Sequence, residues 1–282
     1  MNWTWPAATP LDYFASLVAQ DADFALLEAA ICLAQDDEPQ LDVQQVLAQV
    51  DVLVVRLRQR LAADAPALHR LRTLNHFFYG ELRLQGNLNH YDDPANSYLH
   101  RVLERRLGIP VSLAVLWLEL AQAVGLSAVG VGFPGHFLVK VHLSRTQVVV
   151  LDPLTGASLS QHDLADMLAA WRSDSDSQPP EQVLAWYLQA TPPRAILARM
   201  LRNLKAVHAS GSDWPRLVRV LDRLLLVQPQ AWPERRERGL ALMAMGRLAE
   251  ARVDFEAFLA LAEPGPERDQ VTARLAEIQG RA

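Results

Sequence analysis

The chain has 282 residues, half of them hydrophobic, and a formal net charge of −5. That length admits one large domain or two ordinary ones with a self-sufficient core, and the single cysteine, Cys32, permits no internal disulfide. The acidic balance lacks the basic face of a general nucleic-acid binder, so nucleic acid is excluded as an expected partner.

In chain order, the first ninety residues are expected to be helical. The stretch 41–63 places Leu41, Val43, Val46, Leu47, Val50, Val54, Leu57 and Leu61 mostly three or four apart, the spacing of an amphipathic helix. The opening MNWTWPAATP lacks a basic stretch ahead of an apolar one, so no secretory signal is expected. A second helical pattern runs over 66–82. The segment QGNLNHYDDPANSYLHRVLERRLG (85–108) opens in turn chemistry. Asn96 or Ser97 is the expected N-cap of its helix, and Gly108 the expected stop.

The run IPVSLAVLWLELAQAV (109–124) reads as a buried helix. It is too short, and too interrupted by Glu119 and Gln122, to span a bilayer, so no membrane association is expected. Three β-rich runs follow, SAVGVGF, HFLVKVHL and QVVVLD, with turns at Pro134-Gly135 and Ser144-Arg145. They predict a small antiparallel meander. The polar stretch SDSDSQPPE (173–181) is the expected linker region. Residues 1–190 and 191–282 are read as two domains. From about residue 190 the pattern is helical again, and Gly239, Leu242, Ala251 and Phe255 fall at the small, large, small and aromatic positions of a 34-residue helix–turn–helix unit. The same positions one unit earlier match poorly, and a plain helical bundle is the alternative. Trp171, Trp214 and Trp232 read as helix-packing residues.

The chemistry concentrates at GFPGHFLVKV and VVVLDP. His136 stands where one strand begins and Asp152 where the next ends. This is the arrangement of a base and the group that orients it, although a strand-end histidine and a turn-forming Asp-Pro are the plainer alternatives. His90, Asp92 and Asp93 lie close in sequence, but no spacing enforces three or four converging ligands, so neither a metal nor a cofactor is expected.

Taken together, RRLGIPVSLAVLWLELAQAVGL, GFPGHFLVKV and VVVLDP resemble the transglutaminase-like branch of the papain-type fold. In that branch a Cys in a Gly-x-Cys-x-x-x-Ala pattern opens a buried helix, and a His and an Asp follow on adjacent strands. Gly108 and Ala114 match the pattern, and the Cys slot falls on Pro110. Ser112, about 200° further round the helix, is a weak alternative nucleophile. The tail resembles the tetratricopeptide repeat, with a fair copy at 232–264, a degenerate one at 198–231 and a capping helix at 266–279. The whole is similar to a narrower group of bacterial proteins, of the SirB invasion-regulator type, joining such a core to such repeats and lacking the Cys.

The resemblance implies an α+β protein with a helical N-terminal region, a papain-like core with a small antiparallel sheet, and helical repeats. It implies a cytoplasmic, non-catalytic scaffold, regulatory in role, that binds a protein or peptide, with His136 and Asp152 as a remnant dyad. A hydrolase or acyl-transfer enzyme using that dyad with an unconventional nucleophile or activated water is the alternative. The substrate, partner and oligomeric state are not legible.

Overall fold

The computed structural model describes residues 9–19, 24–171 and 180–280. The chain divides into two compact units. One comprises Ala25–Ile31 and Gln40–Ile196. The other takes in residues 9–19 and 24, Cys32–Pro39 and the described residues from Leu197 on.

Helix α1 (Pro10–Val18) starts in a capping box, in which the Thr9 hydroxyl accepts the Asp12 N–H and the Asp12 carboxylate accepts the Thr9 N–H. α2 (Leu26–Cys32) continues as a 3-10 turn over Leu33–Asp36. The amphipathic stretch folds as α3 (Val43–Arg58), capped by Asp42. The next expected helix divides into α4 (Ala67–Asn75) and a π turn, His76–Glu81. β1 (Gln85–Gly86), a 3-10 turn (Pro94–Asn96), α5 (Leu99–Arg105), β2 (Leu107–Gly108) and α6 (Pro110–Ala123) follow.

The expected caps of α5 lie elsewhere. Its N-cap is Tyr98, because the Asn96 amide is taken up by the preceding loop, donating to the carbonyls of His90 and Tyr91. It stops at Arg106, whose left-handed φ of 62° returns its N–H to the Val102 carbonyl. Gly108 serves another purpose. A Cβ there would stand 2.8 Å from Ser112 Oγ, so glycine lets β2 lie against the first turn of α6.

The meander forms a four-stranded antiparallel sheet in the order β3 (Ser127–Val131), β4 (Leu138–His142), β5 (Val148–Leu151), β6 (Ser158–Leu159). The fourth strand is too short to show in the sequence pattern. α6 packs on β3 and β4. Val111, Leu113, Trp117 and Leu120 are among its many buried residues, as befits a helix apolar all round. Val131, Phe133, Leu138 and Val150 cluster with Leu164 and Leu168 of α7 (Gln161–Ala169), and Val183 and Tyr187 of α8 (Pro180–Tyr187) complete the cluster. The expected linker at 173–181 lies outside the described residues, save its last two, which open α8.

The tail is helical throughout: α9 (Pro193–Ser210), α10 (Trp214–Val227), α11 (Trp232–Ala244), α12 (Leu248–Leu259) and α13 (Pro266–Gly280). α10 packs on α11, α11 on α12, and α12 on α13. Gly239 lets the hairpin of α11 and α12 close, since a Cβ there would come within 2.5 Å of the Phe255 ring. Among the described residues the protein is mostly helical, with 13 α-helices and small sheets.

Candidate functional site

β4 and β5 are adjacent and antiparallel, with Val139 opposite Leu151. Continuing that register puts Leu138 opposite Asp152, with His136 two residues ahead of that pair. His136 stands in the turn ahead of β4 rather than in the strand. Its backbone N–H is held by the Phe133 carbonyl. Gly135, with φ at +66°, makes that turn possible and lies under the Trp171 ring, 2.4 Å from where a Cβ would be. Trp171, 65% exposed, lies with its ring over this turn.

His136 Nε2 lies 3.0 Å from Asp152 Oδ1, with the side chains 16% and 22% exposed. They are shielded enough to hold the bond and open enough for water to enter. An ionised carboxylate can only accept, so Nε2 carries the hydrogen and Nδ1 the lone pair of the neutral ring. Asp152 Oδ1 also accepts the Leu154 N–H at 2.8 Å. Burial works to raise the Asp152 pKa, but the bonds from His136 and Leu154 prevail and hold it below the usual carboxylate range. The pair thus fixes one tautomer and leaves Nδ1 as the base.

The loop that follows Asp152 is tied to the start of α6 through backbone. Gly86 N–H donates to the Leu154 carbonyl, and β1 pairs in parallel with β2, setting Gly86 beside Gly108. Two residues on, Pro110 takes the first position of α6, where its missing N–H costs nothing. Pro110 is buried, as is Ser112. The Ser112 hydroxyl is committed to structure. It accepts the Ile109 N–H at 3.1 Å and lies 2.6 Å from the Asn96 carbonyl, to which it donates.

Sequence reasoning missed the support behind Asp152. The π turn delivers Tyr79, whose hydroxyl donates to the Pro153 carbonyl at 3.2 Å and whose ring fills the space a Cβ on Gly156 would take. Burial first, and then the Asp152 charge, push the Tyr79 phenol well above its ordinary pKa, so it stays a neutral donor. One turn earlier Asn75 donates to the Gly156 carbonyl and accepts from Trp117 Nε1 of α6. The only sequence signal was HFFYGEL inside a helical pattern, which does not reveal a π turn.

His90 and Asp93 belong to loop fastening. Asn87 Oδ1 accepts the His90 N–H, and Asp93 caps Ala95 and pairs with Arg105 at 2.8 Å. Among the described residues no group of three or more His, Cys, Asp or Glu could hold a metal ion.

A family model of the transglutaminase-like superfamily matches residues 44–202, which include this whole constellation. A UPF0162 protein of Xylella fastidiosa is 34% identical over 259 residues, covering 92% of this chain and 91% of the relative. The chain belongs to the UPF0162 family of transglutaminase-like proteins. A tetratricopeptide-repeat model matches residues 204–276, so the transglutaminase-like core is followed by repeats. A UPF0162 protein of Pseudomonas aeruginosa is 28% identical, over 90% of this chain and 91% of its own length. Human F-box only protein 21 is 40% identical over 70 residues, which are 25% of this chain and 11% of that protein. No solved structure gives a significant match. Among the described residues, no helix of this transglutaminase-like protein is long and apolar enough to cross a membrane.

Proposed function

We propose that the protein is a non-catalytic scaffold, a degenerate transglutaminase-like core that binds a protein or peptide with the help of its repeats, regulatory in role and cytoplasmic. One observation carries the reading. The His136–Asp152 pair is complete, while the helix start that would present a nucleophile carries Pro110, which has no nucleophilic atom, and Ser112, whose hydroxyl is buried and twice bonded. The natural thiol, Cys32, is fully buried. A base without a nucleophile orients and binds; it does not form a covalent intermediate. The repeats favour the same reading, because stacked helical hairpins present extended surfaces to protein partners.

A second reading rests on His136. Its ring is partly open to solvent and its Nδ1 is left basic, so an activated water could serve a hydrolase or acyl-transfer reaction. The test is a screen of amide, ester and transamidation substrates with the wild-type chain beside His136→Ala. The scaffold reading expects no turnover that depends on His136. Turnover lost in His136→Ala would establish the hydrolytic reading in its place.

A further inference from the structure

α3, the end of the π turn and α5 enclose a cleft of about 250 Å³. Its polar side is cationic. Arg56 and Arg106 line it together with Glu81, but both Glu81 oxygens are engaged by Arg60. Glu81 lies within the field of Arg56, yet no carboxylate among the described residues forms an ion pair with Arg56 or Arg106. Three arginines against one carboxylate leave two positive charges at this spot in a chain of net charge −5. The rest of the lining is largely apolar, with Leu53 one turn before Arg56 on α3, Leu103 one turn before Arg106 on α5, and Leu82 and Leu84 after the π turn.

The backbone supplies an independent observation. Four glycines, Gly125, Gly135, Gly156 and Gly246, occupy left-handed positions, the conformation that glycine adopts without steric cost. Among the described residues only Arg83, Arg106 and Ser212 adopt it with a side chain. Arg106 ends α5 at a position where glycine is the common choice. Arg106 thus holds a backbone conformation that is costly for a residue with a side chain, and that side chain lines the cleft.

We propose that this cleft binds a small organic carboxylate, its head held by Arg56 and Arg106 and its short apolar body laid against Leu53, Leu84 and Leu103. Planar guanidinium forks match a carboxylate and give charge-assisted bonds. The volume falls just below the roughly 300–1,000 Å³ of pockets for drug-sized ligands, which suits a chain of a few carbons. The site involves neither His136 nor Asp152 and stands apart from the scaffold reading.

The experiment is an amide-resolved NMR titration of the full chain with hexanoate, with its neutral counterpart hexanamide, and with inorganic phosphate, alongside thermal melts. Hexanoate is expected to shift the amides of Leu84 and Leu103 and to saturate, with hexanamide and phosphate about tenfold weaker or more. Arg56→Gln and Arg106→Gly should each weaken hexanoate by about tenfold. Arg106→Gly should melt no lower than wild type, because glycine suits its backbone. Arg56→Gln, on an exposed helix face, keeps the test decisive should the Arg106 turn be disturbed. Hexanoate binding no tighter than hexanamide or phosphate, no saturation by about 10 mM, or binding unchanged in Arg56→Gln would each overturn the proposal.

Discussion

Asp152 answers to two groups at once: one carboxylate oxygen receives both the His136 ring and the Leu154 N–H. The ring is therefore oriented by an acid whose own position is set by the loop behind it, and Tyr79 holds that loop through Pro153. What the site lacks is a thiol, and that can be supplied. If Pro110 occupies the family's cysteine slot, Pro110→Cys places a thiol at the first position of α6, where helix dipole and imidazole both favour thiolate. Its pKa should fall below the free value of about 8.5. Alkylation near neutral pH should then be much faster than at Cys32, which is fully buried, and the excess should drop in Pro110→Cys/His136→Ala. A thiol that reacts like an ordinary exposed one, or ignores the loss of His136, would remove Pro110 from the slot. Full turnover is not expected, since an oxyanion hole must also be in place.

At the scale of elements, close approach decides more than propensity does. β1 meets the loop after Asp152 because Gly86 has no Cβ to strike the Leu154 side chain, which lies 2.6 Å from where one would stand. The α11–α12 hairpin closes on the same principle, at Gly239 against Phe255. Gly239→Leu should force those helices apart and destabilise the protein by about 1–3 kcal/mol, read as a lower urea midpoint. A midpoint unchanged from wild type would mean that the hairpin does not pack through this contact. The π turn is the counter-example to helical pattern reading: it keeps the spacing of apolar residues while rotating Tyr79 toward Pro153.

At the scale of the whole molecule, the unit that contains the repeats also contains residues from near the start of the chain. Arg223 of α10 is completely buried, and its Nε and Nη2 donate to Asp36, 187 residues away, at 2.7 and 2.8 Å. Its guanidinium also lies 4.7 Å from the centre of the Phe14 ring of α1. A buried pair of this kind is costly to break from one side, because it strands a charge. Arg223→Ala should lose about 3–5 kcal/mol, whereas Arg223→Met with Asp36→Leu should recover most of that loss. Chemical denaturation of the three chains checks it. Equal losses in the single and double variants would show that packing volume, not the charge pair, fastens the early segment to α10.

Much of this protein is legible in its sequence, for a local reason. Helical and strand periodicities are short-range, so the helices, the meander and the repeat positions around Gly239 and Phe255 stand out. His136 and Asp152 are legible together because they flank neighbouring antiparallel strands, where a short turn fixes the register. The helical arithmetic that turns Ser112 away from Pro110 is local too. Only the tertiary structure decided the rest. The Arg223–Asp36 bond, the Tyr79 and Asn75 supports, the burial of Ser112 beneath Asn96 and the pairing of Gly86 with Gly108 join residues that no periodicity links. Burial and hydrogen-bond partners are properties of folded neighbours, and these neighbours come together only after the chain has closed loops of tens to nearly two hundred residues.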